Sequence, residues 1–290
     1  MRTKNEEYEA AEASAYPETK RLPCSMAVCT AGATLLLSAL CLSAPPSASA
    51  QGPAVQRGLT LPARTLRIDV GPSDDAILDG VGMEIGNRRG LRLGRTPGGN
   101  ASAVLNIGAA YGITDNFEIG SLLLPIDFAP GAGFGDLEFY GRYRFVHSGG
   151  FELGLHITLQ VPTNTDLGFG FALPMRYRIS NAARIDTGVE IELLVDDTRA
   201  NLDLPFTVLF QATRAFYIGP RSGVMSPRFS ELWVPLGLTG GYTVHASRRV
   251  AVDLTGAFTW PAFFATGGFG DAVNPGYFEA LLGVNLAFGL

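Results

Sequence analysis

The chain has 290 residues, with 22 Lys and Arg against 27 Asp and Glu for a net charge of −5, and 47% of its residues are hydrophobic. An acidic balance argues against a nucleic-acid partner, which selects a basic face. From Gln51 onward the count is 22 acidic to 18 basic, every basic residue is arginine, and no cysteine occurs, which excludes disulfide and thiol chemistry there.

The first fifty residues read as a secretory signal peptide. Lys20 and Arg21 precede the apolar run Ala31 to Leu42, and Ala48-Ser49-Ala50 forms an A-x-A cleavage site. The run is about a dozen residues, short of the roughly twenty that a membrane helix needs. Met26 offers an alternative start but discards Lys20 and Arg21. A lipoprotein reading of Cys41 is opposed by the bulky Leu40 before it. Residues 51–63 are expected as a periplasmic linker and 64–290 as the folded domain.

After Gln51 no stretch reaches 18 consecutive apolar residues, so no membrane helix is expected. Mean hydropathy is nevertheless +0.18 in a chain with 36 glycines. A β-barrel with its outside in lipid reconciles the two. Leu66-Ile68-Val70, alternating with Arg67 and Asp69, is the expected opening strand; Val81 to Leu93 is the alternative. From Ala103 the apolar residues recur at every second position, the period of a strand. Leu105, Ile107, Ala109 and Tyr111 share one face; Phe117 and Ile119 resume after a tight turn. Next come Leu137, Phe139, Gly141, Tyr143 and Phe145, then Phe151, Leu153, Leu155, Ile157, Leu159 and Val161. Further strands centre on 171–179, 185–195, 204–212, 216–218, 232–244, 250–258 and 282–290.

Strands of about nine to twelve residues suit a tilted bilayer crossing. Short turns near 114, 148, 181, 214 and 246 alternate with longer connections at 71–100, 126–134, 162–168, 196–202, 219–230 and 261–275. Outer-membrane barrels show this asymmetry, with short turns on the periplasmic side. The expectation is an all-β, up-and-down antiparallel transmembrane barrel of about twelve strands (ten to fourteen), both ends periplasmic. Near the short turns the outward face is expected to carry an aromatic belt. It comprises Tyr111, Phe117, Tyr143, Phe145, Phe151, Tyr177, Phe210, Tyr217, Tyr242 and Phe288.

The segments Tyr111–Gly120 and Gly135–Phe145, with Leu159-Gln-Val-Pro-Thr163, resemble bacterial outer-membrane barrels described as transporters. They are most similar to the family associated with the phenol meta-degradation pathway. That resemblance implies a channel for small solutes, hydrophobic ones included. The last strand resembles the signal read by the barrel-assembly machinery, although Leu290 stands where Phe is usual and Phe288 lies two residues earlier.

The inward face is expected to hold Glu118, Glu138, Tyr140, Arg142, Arg144, Glu152, His156, Arg176, Arg178, Asp186, Glu190, Glu192 and Asp253. If the five-residue turn at 146–150 sets the register, Arg144 opposes Glu152 and Tyr140 opposes His156. Arg178 likewise faces Asp186. These groups either line a selective pore or neutralise one another across neighbouring strands and fill a narrow lumen. Three functions follow: a channel, a non-conducting structural or docking barrel plugged by side chains or by 71–100, and an outer-membrane hydrolase. The last would use His156, since His147 and His245 fall in short turns, but no inward serine stands beside it. No catalytic set, cofactor or metal site is expected. Partners are expected to be outer-membrane lipid and lipopolysaccharide and the assembly machinery; Arg88, Arg89, Arg92 and Arg95 in the first long connection read first as a solvated loop, with binding of lipopolysaccharide phosphates as the alternative.

Overall fold

The computed structural model describes residues 52–70, 90–95, 101–129, 132–163, 167–195, 199–266, 272–273 and 278–290. The leader 1–50 and residues 71–89 lie outside the described residues, as do Arg88 and Arg89. The strands in chain order are β1 (Thr65–Val70), β2 (Gly90–Arg95), β3 (Ala101–Thr114), β4 (Phe117–Ala129), β5 (Gly133–Phe134), β6 (Leu137–Ser148), β7 (Phe151–Val161) and β8 (Gly168–Ser180). They continue with β9 (Ala183–Leu194), β10 (Arg199–Gln211), β11 (Phe216–Ser226), β12 (Trp233–His245), β13 (Val250–Ala265), β14 (Ala272–Val273) and β15 (Phe278–Gly289). Each long strand pairs antiparallel with its neighbours, and β15 closes onto the start of the chain. β5 and β14 only extend β4 and β13. Among the described residues the result is a closed, antiparallel β-barrel of twelve positions, as expected, with each position paired on both sides.

The first position is shared. β1 and β2 each pair with both β3 and β15. Asp69 lies opposite Gly108 and Gly90 opposite Asn106, so Gly90 takes the place that a residue following Val70 would occupy. On the other side Val70 faces Val284 and Leu91 faces Leu282, again in step. The two candidate opening strands are therefore halves of one, and part of the expected 71–100 loop is strand.

Strands also run further than expected at the long-connection end. β10 begins at Arg199, β11 reaches Ser226 and β13 reaches Ala265. In β11 and β13 the added parts contain Pro220 and Pro261, which obscure the pattern because proline cannot donate to a ladder. The structure accommodates prolines inside strands as local breaks. The β10–β9 ladder skips the residues around Pro205, the β7–β8 ladder those around Pro174, and the β10–β11 ladder those around Pro220.

Outward residues are aliphatic and aromatic: Phe139, Leu155, Ile157, Phe171, Leu193, Phe206, Leu238 and Leu254 are all exposed on the barrel wall. Phe139 is 45% and Leu155 37% exposed, which places them outside rather than in a packed centre. The aromatic belt holds at Tyr143, Phe145, Tyr177, Phe210 and Tyr242. Tyr217 is a correction. It points inward at 2% exposure, and Phe216 takes the outward position instead. No helix of the described residues is long and apolar enough to cross a membrane.

Candidate functional site

Two local features set the lumen's geometry. Gly149 (φ +57°) and Gly150 (φ +86°) close a two-residue hairpin between Ser148 and Phe151, a left-handed pair that glycine adopts without strain. A β-bulge at Phe145 then shifts the β6–β7 register. Arg142, not Tyr140, lies opposite His156, and Arg144 lies opposite Gly154. On the next hairpin Arg176, not Arg178, lies opposite Asp186, because the turn has only two residues, Asn181 and Ala182, and Ile179 is an extra residue beside it. All three expected pairings differ from the observed ones by two positions. A slip of two keeps every side chain on its own face and changes only the residue it meets across the ladder.

The expected inward residues sit as follows. Glu118, Glu138, Tyr140, Arg142, Glu152, His156, Arg176, Asp186, Glu192 and Asp253 are buried inside the barrel. Arg144 and Arg178 lie at the short-turn rim with side chains 12% and 28% exposed. Glu190 is half-buried on β9. Near the short turns the ion pairs are Arg142–Glu118 at 3.3 Å, Arg144–Glu152 at 3.3 Å, Arg176–Asp186 at 2.8 Å and Arg184–Asp186 at 3.0 Å. Arg184 was absent from the expected set although it shares the inward face of β9 with Asp186. The Tyr140 and His156 rings stack at 5.0 Å, Arg142 Nε reaches His156 Nδ1 at 3.4 Å, and His156 Nε2 meets Thr158 Oγ1 at 2.9 Å. His156 is thus wedged between a phenol, a guanidinium and a hydroxyl at 2% exposure.

The largest departure concerns residues 51–63. The described part of that expected linker crosses the inside of the barrel at its short-turn end. The reason is that its backbone groups find charged partners there. Glu152 Oε2 accepts from Leu59 N at 2.6 Å and Glu118 Oε2 from Leu61 N at 2.5 Å. Arg142 donates to the Leu59 carbonyl at 2.8 Å; Arg176 donates to the carbonyls of Arg57 and Gly58 at 3.0 and 2.5 Å. Arg184 donates to Ala54 O, Arg178 to Gln56 O at 3.1 Å, and Gln211 Oε1 accepts from Val55 N at 3.1 Å. Arg57 itself forks onto Asp253 at 2.7 and 2.8 Å and reaches Thr243 at 3.0 Å. Such two-pronged guanidinium–carboxylate contacts are among the stronger polar contacts available.

Apolar side chains complete the crossing. Ala54 and Val55 pack with Leu209 and Tyr217, Leu59 with Ala172, and Leu61 with Ala110 and Tyr140. Gly112 is required at the exit, since a Cβ there would strike the carbonyls of Leu61 and Pro62. Arg64 then turns the chain, at φ +60°, into β1, with its N–H donating to Gly112 O at 2.7 Å. A cavity of about 170 Å³ remains beside the segment, lined by Gly52 and residues 56–62 with Arg67 and Glu118. The one sequence signal for this element was the alternation of Val55, Leu59 and Leu61 on odd positions, a strand-like pattern in a supposed linker.

Farther along the barrel the lumen turns acidic, with Glu138, Glu190, Glu192 and Asp203 directed inward. Asn201 donates to Glu192 at 2.7 Å and accepts from Arg228 N at 3.1 Å. At the long-connection end Met225, Trp233, Ala262 and Ala265 form a buried apolar cluster.

No family model matches the sequence, and no curated protein matches it. Among solved structures the chain is similar to the KdgM porin in complex with disordered oligogalacturonate, at 8% identity over 77% of this chain and 99% of that one, TM-score 0.49. It is similar to an outer-membrane channel from Pseudomonas putida F1 at 11% identity, 85% and 99% coverage and TM-score 0.47. The NanC porin shows 7% identity, 69% and 98% coverage and TM-score 0.47. All three are bacterial outer-membrane channel barrels.

Proposed function

We propose that this chain is a porin-like channel in the outer membrane of a Gram-negative bacterium, passing small solutes through the barrel. The observation that carries the reading is the closed ring itself, with an aliphatic belt outside and charges inside. Water would leave that belt unburied on every side, whereas lipid satisfies it and a closed barrel leaves no backbone group unpaired in hydrocarbon. The short turns and both ends of the described barrel then face the periplasm, and the long connections face outward.

The resemblance of 111–120, 135–145 and 159–163 to barrels of the phenol meta-degradation pathway extends the proposal to hydrophobic solutes. Outer-membrane lipid and lipopolysaccharide would surround the belt, and the assembly machinery would read β15. A second reading, a non-conducting structural or docking barrel, is favoured by one observation: segment 52–62 lies across the lumen, with Arg142, Arg176 and Arg184 sealed beneath it. Hydrolysis draws no support from His156, which is stacked on Tyr140 and shut away from solvent.

Planar-bilayer recording separates the two. A channel conducts in small steps as the full chain, and in larger ones when residues 53–62 are replaced by glycine and serine of equal length. Silence from both proteins would leave the structural barrel as the function.

A further inference from the structure

The lumen groups at the short-turn end recognise main chain. Two carboxylates accept from amides two residues apart, Leu59 and Leu61, while Arg142 and Arg176 donate to the carbonyls between and before them. Apolar subsites receive Val55, Leu59 and Leu61, and one acidic subsite, Asp253, receives Arg57. Amide acceptors, carbonyl donors and spaced apolar pockets are what recognition of an extended peptide requires. Those acceptors and donors come from β4, β6, β7 and β8, strands that the chain reaches only after residue 116, so the site is not built by the segment that fills it.

We propose that the short-turn half of the lumen is a peptide-binding site, that Pro53–Pro62 is its tethered and exchangeable occupant, and that a free extended peptide of the same pattern takes the same place. The pattern is an aliphatic residue, an arginine two positions on, and leucines two and four positions after that. The tether is short, since the segment joins the barrel wall at Arg64. A short flexible tether presents its ligand at an effective concentration on the order of millimolar. Free peptide therefore competes poorly in the full chain and well when the occupant is gone. Only the effect on conduction rests on the channel reading; binding does not.

The test uses a labelled synthetic peptide carrying the sequence of residues 52–63. The protein is the full chain with residues 53–62 replaced by glycine and serine, folded in vesicles. Fluorescence anisotropy is expected to show saturable binding well below millimolar peptide. A peptide with serine at the positions of Val55, Leu59 and Leu61 should bind at least about tenfold more weakly, from the lost apolar burial. The same titration in a planar bilayer should close the enlarged pore. Binding without any current would sustain the site and contradict the channel. Absence of binding overturns the proposal.

A second measurement covers the case in which the replaced chain does not fold. In the otherwise unaltered chain carrying Thr60→Cys, maleimide labelling at position 60 is read by peptide mapping. Millimolar free peptide should accelerate that labelling by displacing the tethered segment, and an unchanged rate would also overturn the proposal.

Discussion

Arg176 and Arg178 sit two residues apart on one strand and differ sharply in what they touch. Arg176 is buried, holds Asp186 at 2.8 Å and donates to two carbonyls of the crossing segment. Arg178 lies at the rim, where the Glu152 carboxylate stands at 3.9 Å. Arg176→Ala should therefore cost about 3–5 kcal/mol, because Asp186 is left buried with one cation fewer. Arg178→Ala should cost roughly 0–1 kcal/mol, as exposed pairs do. Urea unfolding of both variants checks this, and a double-mutant cycle with Asp186 should find coupling only for Arg176. Outward, Leu155→Arg places a charge on the wall midway along β7, where burial in hydrocarbon costs about 2–4 kcal/mol. The same measurement in vesicles should show that loss.

Among the elements, the shared first position makes the sharpest prediction. β1 and β2 pair with β3 and β15 in one unbroken register, so Val70 joined directly to Gly90 would continue the ladder without a slip. A chain lacking residues 71–89 should still fold to a barrel with unchanged mobility of the unboiled form on a gel. At the β6–β7 turn, Gly149→Val should destabilise by about 1–2 kcal/mol, the cost of a left-handed backbone for a residue with Cβ.

Alternation made most of these elements legible: from 103 onward, which face looks outward follows from the period of two. Partner choice was not legible, because single extra residues at Phe145 and Ile179 move the register and leave no mark on the alternation. Alternation alone does not single out Arg184 as a partner of Asp186, and the aromatic pattern puts Tyr217 on the outer belt, whereas it is buried inside. The occupant of the lumen escaped altogether. Its contacts with Glu118, Glu152 and Asp253 span 57 to 196 positions along the chain, and no local pattern encodes a partner that distant.

Taken whole, the molecule is inside-out by the standards of a water-soluble sheet, with guanidinium and carboxylate groups at its centre and leucine, isoleucine and phenylalanine on its wall. In that arrangement lipid takes the part that a hydrophobic core plays elsewhere, and the ring is stable only where hydrocarbon surrounds it. The most direct test is refolding into phospholipid vesicles, followed by an alkaline wash and a comparison of unboiled and boiled samples by gel electrophoresis. The chain should remain with the vesicles and run faster unboiled, as a folded barrel that resists detergent. A monodisperse, folded monomer in buffer free of lipid and detergent would contradict the membrane barrel and, with it, the channel.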